Sequence, residues 1–251
     1  MQIRRATRQL AHVRIALVGP SGSGKTFTSL RIARGLVGPE GRVCVIDTER
    51  GSASLYAGEP DIAGDYDVLE LTDQFSPDTY VKAIKTVTGA GYDVCVIDSL
   101  THAWAGAGGA LEMADDVAKR SRSGNSFTAW REVTPQHNAL VDTILQAGCH
   151  VIVTMRVKTE WVLERDEKTG KQAPRKIGLA PIQRAGMEYE FDLVGDLDPE
   201  HNLVVSKSRC RALTDRVIRR PDGEIAAALR DWLSSGAPVE APAPEPAPEA
   251  A

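Results

Sequence analysis

Gly19-Pro20-Ser21-Gly22-Ser23-Gly24-Lys25-Thr26 satisfies the pattern G-x-x-x-x-G-K-[ST], and it restricts the fold more than any other feature of the chain. A loop of this kind works between a buried strand and the start of a helix. Both neighbours are present. The apolar run Val13-Arg14-Ile15-Ala16-Leu17-Val18 reads as the strand, and Phe27 through Leu36 carries apolar residues at helical spacing. Glycines let backbone N–H groups turn inward toward phosphate oxygens, and the helix adds its positive end. Gly19, Ser21, Gly22, Ser23, Gly24, Lys25, Thr26 and Phe27 are therefore the candidate triphosphate-binding residues. Lys25 is expected on the outer phosphates, and the Thr26 hydroxyl on Mg²⁺.

The remaining pattern places this loop in an α/β domain. Arg42–Asp47, Asp67–Leu71, Tyr92–Asp98 and His150–Met155 read as strands. Helices are expected from Pro77 to about Val87, with Ser76 as N-cap, around Ala110–Ala118, and from about Thr128 to Gln146 with a break near Pro135. Strands alternating with helices argue for a mostly parallel twisted sheet flanked by helices. Glu160–Gly178 reads as a β-hairpin insertion turning at Asp166–Gly170. Phe191–Gly195 and Leu203–Lys207 read as antiparallel edge strands, and Glu224–Leu233 as a closing helix. Residues 1–235 form the expected domain. Residues 236–251, rich in Pro, Ala and Glu, are expected to be a disordered tail.

Composition excludes little beyond the extremes. With 42% hydrophobic and 25% charged residues, the 251-residue chain has the make-up of a globular protein. No apolar run has the length of a membrane span, and the N-terminal residues lack a secretory pattern, so a cytoplasmic location is expected. Cys44, Cys95, Cys149 and Cys210 lack metal-ligand spacing and are expected as reduced core thiols, three of them in buried strands. The net charge of −4 gives no global sign of nucleic-acid binding, so any such evidence must be local.

A phosphate-loop enzyme needs a carboxylate at the end of a second apolar strand to help hold Mg²⁺. Asp98, after Val94–Ile97, fits that place. Hydrolysis also needs a group that orients the attacking water, and a carboxylate on the strand beside Lys25 can do so. Chemistry alone divides that role between Asp47 and Glu49.

Val45-Ile46-Asp47-Thr48-Glu49, Leu55-Tyr56-Ala57 and Asp93-Val94-Cys95-Val96-Ile97-Asp98-Ser99 together resemble the ATPase core of RecA-type recombinases, over roughly residues 13–210. The resemblance implies a RecA-like P-loop NTPase fold, ATP with Mg²⁺ as cofactors, and ATP hydrolysis. It implies Glu49 as the catalytic carboxylate and Tyr56 as the platform for adenine. Ala53 departs from the family, many of whose members carry an Asp there that contacts adenine. Ala129–Pro135, Thr154–Glu160 and Glu188–Asp192 further resemble a branch of RecA-like ATP-binding proteins encoded by bacteriophages, some of them recombination or single-strand annealing proteins.

That resemblance implies single-stranded DNA as a partner, and two segments carry the local charge for it. Lys119, Arg120 and Arg122 lie in a stretch from Val117 to Arg131 without acidic residues. Lys168, Lys171, Arg175 and Lys176 lie in the expected hairpin, near Trp161. Trp130 is expected to pack rather than stack on a base, and His102, His137 and His150 are expected to be structural. Where the recombinases end a core strand in Asn-Gln, this chain has Thr154-Met155-Arg156. The missing phosphate-sensing Gln leaves Thr154 or Arg156 as its substitutes, or a different coupling of ATP to DNA. Finally, the family implies a homo-oligomer in which a basic pair from a late strand reaches the neighbour's nucleotide. Lys207 and Arg209 are the candidates for that catalytic role, with Arg211 in reserve.

Overall fold

A computed structural model of the chain describes residues 12–120, 126–165 and 172–234, with side chains outside its description at 126–127, 161–165 and 172–177. Its centre is strand β1 (Arg14–Gly19), buried at every position. The phosphate loop leads from it into α1 (Lys25–Val37). Next come β2 (Val43–Asp47), β3 (Asp67–Glu70), α2 (Pro77–Gly89) and β4 (Val94–Asp98). Then follow α3 (Thr101–Ala105), α4 (Ala110–Arg120), α5 (Ser126–Gln146) and β5 (His150–Arg165). Strands β6 (Gln172–Pro181), β7 (Leu193–Leu197), β8 (Asn202–Ser208) and β9 (Val217–Arg219) precede α6 (Gly223–Ser234).

The sheet runs β3-β2-β4-β5-β1-β7-β8-β9, and β6 pairs with β5. Every contact from β3 to β7 is parallel, whereas β8 and β9 add antiparallel strands at one edge. Side chains of successive strand residues point to opposite faces, which divides the core in two. Ile15, Leu17, Val43, Val45, Val94 and Val96 pack on one face with Leu30 and Ala33 of α1 and Ile225 and Leu229 of α6. Ala16, Val18, Cys44, Ile46, Cys95 and Ile97 pack on the other with Tyr80 and Ile84 of α2 and Leu140 and Ile144 of α5. This is the α/β phosphate-loop architecture implied by the sequence, including the antiparallel edge and the hairpin.

Four expectations are corrected. The segment after Phe191 forms β7, a parallel neighbour of β1 rather than an antiparallel edge strand. Strand β2, which leads to Glu49, is not beside the phosphate-loop strand, because β4 and β5 lie between them. α5 runs unbroken through Pro135. Proline removes one helical hydrogen bond, but Pro135 is exposed, so the freed carbonyl faces water, while Val133 and Leu140 on the buried side hold the helix in place. Only Cys44 and Cys95 lie in strands, although all four cysteines are free and buried.

Ser76 caps α2 as expected, its Oγ accepting a hydrogen bond from the Thr79 amide at 3.2 Å. α3 and β9 are additions to the predicted pattern. Among the described residues, no helix is long and apolar enough to cross a membrane. The predicted tail, Arg122, Lys168 and Lys171 lie outside the described residues.

Candidate functional site

The turn from β1 into α1 is built on one carbonyl. Pro20 O accepts hydrogen bonds from the Ser23 hydroxyl at 2.9 Å and from Lys25 Nζ at 2.7 Å. A Cβ on Gly19 would stand 2.5 Å from the Leu197 carbonyl, so only glycine allows β7 to pack this closely. Gly24 adopts φ 87° at the N-cap of α1 and offers no side-chain cap. The first-turn amides therefore keep their donors for an anion. Burial lowers the Lys25 pKa, and the nearby carboxylates Asp98 and Glu49 oppose that shift.

In the parallel register, Asp98 at the end of β4 lies beside Asp47 at the end of β2. Asp98 is 1% exposed and accepts hydrogen bonds from Thr26 Oγ1 at 2.6 Å and Thr154 Oγ1 at 2.5 Å. Burial raises its pKa, while the two hydroxyl donors oppose the rise. Asp47 is equally buried but faces the following loop. Its two oxygens accept the Glu49 amide at 2.5 Å and the Ala53 amide at 3.0 Å. Asp47 is thus a loop cap. Glu49 is free of that duty and lines the cleft.

Arg156 supplies the contact that sequence reasoning half anticipated. Its Nε and Nη2 donate to Glu49 Oε1 at 3.1 and 2.9 Å. Met155 is fully buried in the core with Val18, on the other face of β5. Strand alternation accounts for both. Thr154 and Arg156 share the face toward the carboxylates, and Met155 never faces the cleft.

A cleft of about 750 Å³ joins these parts. The sequence candidates Ser21 to Phe27, Glu49, Tyr56 and Asp98 line it. Gly19 lies beneath the loop and does not line it. Tyr56 meets Phe27 edge-on, with ring centroids 6.2 Å apart, and the Arg31 guanidinium lies 5.6 Å from the Phe27 ring centroid. Arg31, Arg156, His201 and Arg220 complete the wall. Arg31 was legible as the residue one helical turn beyond Phe27. His201 and Arg220 carried no local signal, because the pairing of β1 with β7, of β7 with β8 and of β8 with β9 brings them to the loop.

The other candidates lie elsewhere. Ser208 pairs with Leu193, which pairs with Ile15, so Lys207 and Arg209 stand at the end of the sheet opposite the cleft. Lys207 Nζ donates to the carbonyls of Glu188 and Tyr189 at 3.1 and 2.5 Å, and Arg209 pairs with Asp192 at 2.8 Å. Neither approaches this chain's own phosphate loop. Lys119 and Arg120 lie 3.6 and 4.0 Å from Asp116, which precedes the acid-free stretch. The backbone of Arg175 and Lys176 lies in β6; their side chains are outside the described residues. Trp130 stacks on Trp104 at 5.3 Å and packs, as expected.

The family profile described as an AAA domain matches residues 11–218. The chain belongs to this AAA-domain family. The match spans the phosphate loop, Glu49, Asp98 and Arg156, so the cleft lies within the AAA domain. No curated protein matches the chain in sequence. Among solved structures, this AAA-domain chain is similar to the KaiC-like protein PH0186 of the hyperthermophilic archaeon Pyrococcus horikoshii OT3. The two share 17% identity over 83% of this chain and 89% of that one, with a TM-score of 0.43.

Proposed function

We propose that the chain binds ATP with Mg²⁺ and hydrolyses it, with Glu49 orienting the attacking water. The observation that carries this reading is the division of labour among three carboxylates. Asp98 sits buried against the Thr26 and Thr154 hydroxyls, Asp47 is occupied by backbone amides, and Glu49 lines the cleft half-exposed, with the Arg156 guanidinium on its carboxylate.

The residues fit the cofactors. Thr26 Oγ1 donates to Asp98 and keeps lone pairs for a hard cation, and Asp98 adds a carboxylate beside it. Among the described residues no group of three His, Cys, Asp or Glu side chains is placed to hold a metal. Two protein oxygens completed by phosphates and water is the pattern Mg²⁺ favours. When bound, the cation neutralises charge on the phosphate oxygens. The chain's own groups do the rest. Lys25 leaves the Pro20 carbonyl for the outer phosphates, the open amides of the α1 N-terminus hold the remaining oxygens, and Glu49 accepts a hydrogen bond from the attacking water. Arg156, one residue from the hairpin, holds Glu49 in place.

The finer setting we propose is bacteriophage DNA recombination or replication, with the protein acting as a homo-oligomer on single-stranded DNA. The sequence resemblance supports it, and so does the hairpin's position. Gly19 pairs with Arg156, so β5 passes the level of the phosphate loop before turning with β6 beside the cleft. Lys207 and Arg209, remote from their own cleft, suit a contact with a neighbour's nucleotide.

The test compares equilibrium ATP binding and steady-state hydrolysis in the full chain, Lys25→Ala and Glu49→Gln. Lys25→Ala is expected to lose binding. Glu49→Gln is expected to bind normally and turn over about 100-fold more slowly or worse. Full turnover by Glu49→Gln would remove Glu49 from the role.

A further inference from the structure

We propose that His201 is a positioning residue of the phosphate loop, its ring holding the Ser23–Gly24 peptide in the orientation that turns the Gly24 amide toward the phosphates. The inference rests on the triphosphate reading. It adds a residue that lies 178 positions from Ser23 in sequence.

Ser23 is 0% exposed, and its carbonyl precedes the first residue of α1, so no helical amide serves it. A buried carbonyl needs a donor. His201 Nδ1, 3.2 Å away, supplies it, and among the described residues no other group does. The partner also decides where the proton sits. A carbonyl oxygen only accepts, so Nδ1 carries the hydrogen. The peptide between Ser23 and Gly24 is planar and trans, with its C=O and N–H pointing to opposite sides. Fixing the Ser23 oxygen against the imidazole therefore fixes the Gly24 N–H away from it. That amide has no hydrogen-bond partner among the described residues, and Gly24 lines the cleft. Glycine leaves the peptide free to turn over, which would aim a carbonyl at the phosphates instead. The imidazole opposes that turn.

The ring is itself held. His201 belongs to the turn from β7 into β8, where the Asp198 carboxylate accepts the Asn202 amide and side chain, both at 2.7 Å. The His201 amide donates to the Asp198 carbonyl at 3.1 Å, and the Arg220 amide, just beyond β9, donates to the His201 carbonyl at 2.8 Å. His201 adopts φ 65°, a left-handed conformation in which His, Asn and Asp are the favoured non-glycine residues. On the loop side, a Cβ on Gly24 would stand 3.4 Å from Nδ1, so the glycine leaves the ring its room. His201 and the loop line the same cleft.

The test uses the full chain with His201→Gly and His201→Asn, both of which accept left-handed backbone. Glycine removes the donor, whereas asparagine offers its Nδ2 in the same place. The ligands are the β,γ-imido analogue of ATP and inorganic triphosphate, titrated calorimetrically in Mg²⁺. His201→Gly is expected to bind both about fivefold more weakly, the effect of one hydrogen bond. His201→Asn is expected to stay within about twofold of the wild-type chain. NMR of the imidazole nitrogens in mildly alkaline buffer is expected to show the His201 proton on Nδ1, with His201 assigned by the signals lost in His201→Asn. His150, whose Nδ1 accepts the Val13 amide, is expected to show the opposite tautomer in the same spectrum. Full affinity in His201→Gly overturns the proposal. So does an equal loss in His201→Asn, which would make ring bulk the cause, or a loss confined to the ATP analogue, which would move the effect away from the phosphates. A His201 ring without hydrogen on Nδ1 overturns it as well. Failure of the wild-type chain to bind either ligand is a separate result that removes the triphosphate reading itself.

Discussion

Asp47 and Glu49 stand two residues apart at the end of one strand, and the sequence offers both for one role. Their surroundings separate them. Asp47 accepts two backbone amides from a position 1% exposed, so removing its carboxylate leaves buried donors unpaired. That penalty is about 1–3 kcal/mol. Glu49 holds only Arg156, a pair whose side chains are 46% and 26% exposed, and such contacts contribute little to stability. Asp47→Ala is therefore expected to lower the unfolding free energy by about 2 kcal/mol, and Glu49→Ala by about 0.5 kcal/mol or less, in denaturant titrations without nucleotide. Equal losses would mean that Glu49 shares the capping role. The phosphate loop and Asp98 were legible because their chemistry follows from local spacing, whereas Tyr56 was singled out only by the family resemblance. Chemistry alone left the choice between Asp47 and Glu49 open, and only the resemblance pointed to Glu49, because the difference depends on the direction of a loop that the folded neighbours fix.

The longer elements follow from apolar periodicity, and the errors fall where one local signal competed with packing. Pro135 carries a breaker signal, yet Val133, Leu140 and Ile144 bury one side of α5 and the helix continues. α3 and β9 are too short to show a period. The junction of α5 with β5 shows how packing also fixes ionisation. Arg14 donates to the carbonyls of Leu145, Ala147 and Cys149 and so closes the end of α5. His150 accepts the Val13 amide through Nδ1 at 3.1 Å. Burial, helped by the charge of Arg14 and the neighbouring His12, pushes the His150 pKa down to about 4. The folded protein thus holds this ring neutral while the unfolded chain binds a proton below about pH 6.5. Its stabilising contribution is complete above that pH and is lost as the pH falls toward 4. The loss is on the order of 2 kcal/mol by pH 4.5. His12, His102 and His137 are shifted in the same direction and add to this decline, while the raised pKa of buried Asp98 opposes it. His150→Gln, which can still accept the Val13 amide, is expected to show a decline between pH 7.5 and pH 4.5 smaller by about 2 kcal/mol. An unchanged decline would assign the acid sensitivity to the other rings.

At the scale of the molecule, the strand order decides what reaches the cleft. The parallel β1–β7 contact and the antiparallel strands beyond it carry His201 and Arg220 to a loop some 180–200 residues earlier, taking the separation from Ser23. A single sequence holds no record of such pairings, which is why Arg220 was missed while Arg31 was within reach. The same order carries β5 from Thr154, beside Asp98, through Arg156, on Glu49, and out into the hairpin. One continuous strand therefore links Arg156 and Glu49, the carboxylate that we propose orients water, to the basic segment that we propose meets DNA. If single-stranded DNA is the partner, the logarithm of its affinity falls linearly with log salt, with a slope of about −0.7 for each phosphate contacted. Replacing Lys168, Lys171, Arg175 and Lys176 with serine is expected to weaken binding of a fluorescent oligonucleotide, to flatten its salt dependence, and to abolish stimulation of ATP hydrolysis by DNA. ATP affinity is expected to stay unchanged, since the substitutions leave the phosphate loop, Glu49 and Asp98 intact. Undiminished DNA binding would move the contact to Lys119 and Arg120. No DNA binding by the wild-type chain at low salt would leave the hairpin as a docking arm for a protein partner, with Arg156 still its link to hydrolysis.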